Sequence, residues 1–166
     1  MKTIRVTDAL VALAQLRSLG EQKYTDNDGK VVGYKAAVVF PGDKIKTSYW
    51  LARLQDKLES IEKTYNKQLQ ALFEQYGTEI KDKDDKPVLG MDGKPQLQVD
   101  FQANPQFLEE QKALQDATED VSLSKTFKIE DFDGIPLSTD FFKALLPFID
   151  EEATEPETKT VNLPQS

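Results

Sequence analysis

Residues 51–76, LARLQDKLESIEKTYNKQLQALFEQY, organise the reading of this chain. Leu51, Leu54, Leu58, Ile61, Tyr65, Leu69, Leu72 and Tyr76 recur three and four residues apart, the spacing that stacks side chains on one face of a helix. Neither Gly nor Pro interrupts the run. Upstream, Asp43 is the expected N-cap, and downstream Gly77 stands where a left-handed residue commonly closes a helix. The pattern predicts a helix from Asp43 to Tyr76, about 50 Å long at 1.5 Å per residue, carrying a seam of coiled-coil type. Glu59 and Lys63 form a favourable i,i+4 pair on its polar face. A helix of this length is not held by propensity alone, so the seam must be covered. Each large apolar side chain buried there contributes about 1.5–3 kcal/mol.

The cover is expected from the second half of the chain. Asn104-Pro105 is a helix start, with Asn as cap and Pro at the first position. From there to Asp120 the chain presents Phe107, Leu108, Leu114, Ala117 and, just beyond, Val121. This helix is expected to run antiparallel to the long one. At the other end, Ile4–Val6 reads as a short strand. Thr7 or Asp8 then caps a helix to Leu19, with Leu10, Leu13 and Leu16 as its stripe and Gly20 as its stop.

Two hairpins are expected. Residues 21–40 fold around Asp26-Asn27-Asp28-Gly29, followed by the β-branched and aromatic run Val31, Val32, Tyr34, Ala36, Val38 and Phe40. Residues 86–100 hold a second one, Val88–Val99, around Met91-Asp92-Gly93-Lys94. Pro87 and Pro95 limit the sheet there, and an open loop is the alternative. Val121, Leu123, Phe127 and Ile129 have strand-like spacing. Ser138 or Thr139 caps a last helix, Phe141–Leu146, ended by Pro147. No internal repeat is apparent. The expected architecture is α+β, mainly α: one domain over residues 1–149, then an acidic flexible tail over 150–166.

At 166 residues the chain suffices for one real core, and nine Phe, five Tyr and one Trp are too many to leave in water. No apolar run approaches the roughly 20 residues of a membrane span, and Ala9–Ala14 is too short for a secretory core. With neither Cys nor His, the chain lacks thiolate chemistry, the Ser-His-Asp arrangement and most transition-metal ligands. Its charge of −8 is unevenly spread: residues 1–50 carry eight basic and five acidic side chains, and 77–166 carry nine against twenty. Such a balance opposes binding to phosphate backbones.

Two acidic groups could hold a hard cation: Asp82, Asp84, Asp85 and Asp92, and Glu130, Asp131 and Asp133. Counted from Asp82, however, the positions where a calcium loop needs Gly and Glu hold Pro87 and Gly93, and the second group reads as a turn before Gly134. Gly90-Met91-Asp92-Gly93-Lys94 lacks the spacing of a phosphate loop. No catalytic, cofactor-binding or metal-binding residue is assigned, and no cofactor is expected. Tyr49, Trp50 and Arg53, at the start of the long helix, are the candidate anchors for a protein partner, since Tyr, Trp and Arg are enriched in interface hot spots.

Three stretches, MKTIRVTDALVALAQLRSL, FPGDKIKTSYWLARLQDKLESIEKTYNKQLQALFEQYG and FKIEDFDGIPLSTDFFKALLPFI, together resemble a family of small uncharacterised tailed-bacteriophage proteins. The likeness covers residues 1–149 and brings no catalytic residues. It implies a phage-encoded protein and says little about activity. The first expectation for function is a non-enzymatic virion or assembly accessory protein, acting in the virion or the host cytoplasm on protein partners or on itself. The alternatives are an acidic inhibitor that blocks the nucleic-acid site of a host or defence protein and, third, a carboxylate-metal hydrolase.

Overall fold

A computed structural model of the chain describes residues 1–123 and 125–150, so the tail from 151 onward lies outside the described residues. The fold is α+β, as the patterning predicts, and the long helix is its axis. Helix α2 spans Ile45–Tyr76, 32 residues in all. A 3-10 turn, Gly42–Lys44, precedes it. Asp43 sits inside that turn, and the N-cap is Lys44 with no side-chain cap bond, which corrects the expected Asp43 cap. The helix start is fastened from outside instead: Lys44 Nζ donates to the Glu130 carbonyl at 2.6 Å and the buried Thr47 hydroxyl donates to the Asp131 carbonyl at 3.1 Å.

Gly77 also differs from expectation. Its φ of −82° and ψ of 151° are extended, not left-handed. Glycine is needed there for room, because a Cβ would lie 2.3 Å from the Phe73 carbonyl oxygen and 3.0 Å from Leu97 Cβ. The chain leaves the helix by folding tightly against its last turn.

The seam is covered in two parts. Helix α1 (Val6–Arg17) packs along the first half of α2, where Ala9 and Ala12 allow close approach and Leu13 and Leu16 interlock with Leu51, Leu54 and Leu58. Phe127, Phe132, Phe141, Leu145, Phe148 and Ile149 complete this core. Phe141 and Leu145 belong to helix α4 (Thr139–Leu145), which Ser138 caps by accepting from the Phe141 amide at 3.1 Å. Helix α3 (Pro105–Asp116) covers only the far half of α2, so the expectation that it would be the main cover is corrected. Phe107 meets Phe73 and Tyr76 near the end of α2, while Lys57 reaches the Ser122 carbonyl. The path is therefore antiparallel to α2. Phe101 and the Tyr76 hydroxyl, which donates to Glu110 at 2.7 Å, close this smaller aromatic cluster.

Helix α3 stops four residues short of Asp120 because 118–121 is needed as a strand. Strand β1 (Lys2–Arg5) pairs antiparallel with β6 (Thr118–Val121), seating Ile4 and Val121 in the core. Val6 opens α1 directly, its amide donating to the Ala117 carbonyl, and neither Thr7 nor Asp8 is the cap. Thr7 donates to the Gln115 carbonyl and Asp8 pairs with Arg5. Of the strand expected over 121–129, the described residues form only the Val121 end of β6 and a single bridge from Phe127 to Ile149.

Strands β2 (Gln22–Thr25) and β3 (Val31–Lys35) make the first hairpin. The segment after α2 is not a single hairpin over 86–100. Strand β4 (Thr78–Glu79) pairs with β5 (Leu97–Gln98), and between them the chain makes two more tight turns. The Ile80 amide donates to the Gln96 carbonyl, Gln96 to Val88, and Val88 back to Ile80, a closed triangle of backbone bonds at eight-residue spacing.

Candidate interaction surface

Three tight turns are alike. Asp26–Lys30, Asp82–Lys86 and Gly90–Lys94 share one geometry. In each, the fourth residue donates its amide to the first carbonyl, and the first amide donates to the fifth carbonyl, at 2.8–3.1 Å. The fourth residue has positive φ in each case: Gly29 at 78°, Asp85 at 61° and Gly93 at 75°. Asp26 and Asp82 each turn a carboxylate oxygen back onto the amides two and four residues ahead. These carboxylates therefore serve as turn locks. Among the described residues, no three acidic groups gather into a metal-holding arrangement.

The second acidic group is also built into the fold. Asp131 accepts from Lys125 Nζ at 3.2 Å and from the Lys128 amide at 3.0 Å. Burial pushes its carboxyl up, but the Lys128 amide, the Lys125 ammonium and the nearby Lys44 outweigh that and hold it below the usual aspartate value. Gly134, at a φ of 76°, makes the turn that follows.

The three anchors named from sequence fall beside one another on α2. The Tyr49 and Trp50 rings meet edge-on at 5.1 Å. Trp50 is half-buried against the main core, whereas Tyr49 is exposed, and Arg53 lies one turn on, 3.7 Å from Asp56. Trp50 thus supports packing, and Tyr49 with Ile45 one turn earlier forms the exposed stripe.

A second exposed surface, which sequence reading did not single out, is the β2–β3 hairpin. It stands away from the core: Tyr24 is 51% exposed, Val32 63% and Tyr34 66%. The register places Tyr24 opposite Gly33 and Lys23 opposite Tyr34, and no described residue covers either face of the ribbon. Of the partly alternating run Val31–Phe40 only Val31–Lys35 is strand, so the hairpin is shorter than the expected 21–40, and the alternation does not reveal that both faces are exposed. The side chains of Lys23, Lys30 and Lys35 make no hydrogen bond or ion pair among the described residues.

Two clefts lie elsewhere on the surface. One, of about 380 Å³, lies between α1 and α4 and is lined by Asp8, Val11, Gln15, Asp140 and Lys143. The other, of about 430 Å³, lies between the far half of α2 and the third turn, beside Leu69, Phe73, Asp92 and Lys94. No helix among the described residues is long and apolar enough to cross a membrane. Comparison with known proteins finds no matching family model, no matching curated protein and no matching solved structure.

Proposed function

We propose that this chain is a non-enzymatic interaction protein, a phage virion or assembly accessory component that meets its partner through the β2–β3 hairpin and the Ile45–Tyr49 side of α2. The supporting observation is the exposed hairpin: a two-stranded ribbon is marginal in water, and this one exposes two tyrosines and two valines over four residue pairs of sheet. Apolar and aromatic groups held out on a short projecting element suit docking better than they suit solubility. The phage assignment rests on the resemblance of residues 1–149.

Mass spectrometry of particles purified from the infecting phage tests this reading. Many copies per particle are expected, and the Tyr34→Ser variant should enter particles less. Absence from particles, together with salt-sensitive capture on a basic host enzyme, would replace it with the inhibitor reading.

A further inference from the structure

We propose that copies of this chain associate head to tail, the β2–β3 hairpin of one copy adding to the free edge of β6 in the next. This rests on the interaction-protein reading and names the chain itself as a partner. Both sheets are two-stranded, β1 with β6 and β2 with β3, so both have edges open to another strand. The strands differ in charge. Strands β2 and β3 carry Lys23 and Lys35 and no acidic residue, Glu21 lying before β2 and Asp26 and Asp28 in the turn, where backbone amides engage Asp26; the ammonium groups of Lys23, Lys30 and Lys35 are unpaired among the described residues. In the other sheet the cations are already neutralised, Lys2 by Asp150 at 3.2 Å and Arg5 by Asp8 at 2.9 Å. Glu119 on β6 and Asp116 just before it remain exposed, and Asp120, also exposed, accepts from the Thr3 hydroxyl at 2.6 Å. Charges on an edge discourage pairing with its own kind, Lys against Lys or Glu against Glu. The mixed pairing alone sets Lys beside Glu. Joined head to tail, two copies leave one hairpin and one β6 edge unmatched, so the assembly propagates, whereas reciprocal pairing of the two patches would close it as a two-fold dimer.

Sedimentation of the purified full chain tests the proposal. At about 50 mM salt the mean mass should rise above 18.8 kDa with protein concentration, and at about 500 mM salt it should fall back, since the Debye length shrinks severalfold. Two charge-reversed variants make the test specific. Lys23→Glu with Lys35→Glu, and separately Asp116→Lys with Glu119→Lys, should each be monomeric at low salt with unchanged helical circular dichroism. Mixed one to one, they should associate again, because both mixed contacts are then complementary. A wild-type chain that stays monomeric at low salt overturns self-association but leaves the particle-protein reading standing. A closed dimer, or association that survives either variant, overturns the head-to-tail arrangement.

Discussion

At the scale of single residues, Asp85 departs from its counterparts. It occupies the left-handed position that Gly29 and Gly93 fill in the sister turns, and a side chain there costs about 1–2 kcal/mol in backbone conformation. Glycine also gains freedom in the unfolded chain, which offsets part of the benefit. Asp85→Gly is therefore expected to stabilise the protein by about 0.5–1 kcal/mol, read from urea unfolding. The exposed ion pair from Lys81 to Asp85 at 3.0 Å, lost in the variant, should matter little. An unchanged or lower midpoint would mean that the turn does not carry the strain its φ implies. Gly77 shows the other use of glycine, since its extended backbone would suit any residue and it is the Phe73 carbonyl, with Leu97 beside it, that excludes a side chain.

At the scale of elements, the start of α2 depends on a distant segment rather than on its own cap. Residues 129–132 form a short 3-10 turn whose carbonyls receive Lys44 and Thr47, and Asp131 holds that turn through Lys125 and the Lys128 amide. The Asp131 carboxyl is held below its ordinary value, so it is more acidic folded than unfolded. Its contribution is then fully present above the unfolded value near 4 and is lost as pH falls through the folded value. Asp131→Asn should lower stability by roughly 1–2 kcal/mol at neutral pH. The deficit should shrink below pH of about 4, where the wild-type carboxyl is itself being protonated. Urea unfolding of both proteins across that range checks the sign. A deficit independent of pH would assign the effect to shape rather than charge.

Across the whole molecule, burial is concentrated at one end. Leu54, Leu58, Leu145 and Phe148 are fully buried, and α1, α4 and the first half of α2 share them. The far half of α2 has a smaller cluster around Phe107, and the β2–β3 hairpin has no comparable cover. Local stability should follow the same gradient. In dilute protein at moderate salt, hairpin amides such as Tyr34 should be at least about 100-fold less protected from hydrogen exchange than those of Leu54 and Leu58. Equal protection would mean that the hairpin opens only with the global fold.

The long helix, its seam and the Ser138 cap were legible because each rests on local spacing: a 3.6-residue period, a hydroxyl three residues before an amide, no breaker within the run. The first hairpin was legible from its turn residues for the same reason. Tertiary contact decided the rest. Whether 117–121 continues a helix or becomes a strand depends on β1, more than a hundred residues away, offering its edge. Sequence spacing specifies that a seam must be buried, but many apolar faces satisfy that demand equally well. Only the packed chain selects α1, through the close approach its Ala9 and Ala12 permit, and leaves the hairpin bare. Spacing along a chain governs which side chains share a face, whereas the neighbour that covers the face is chosen by shape across long loops.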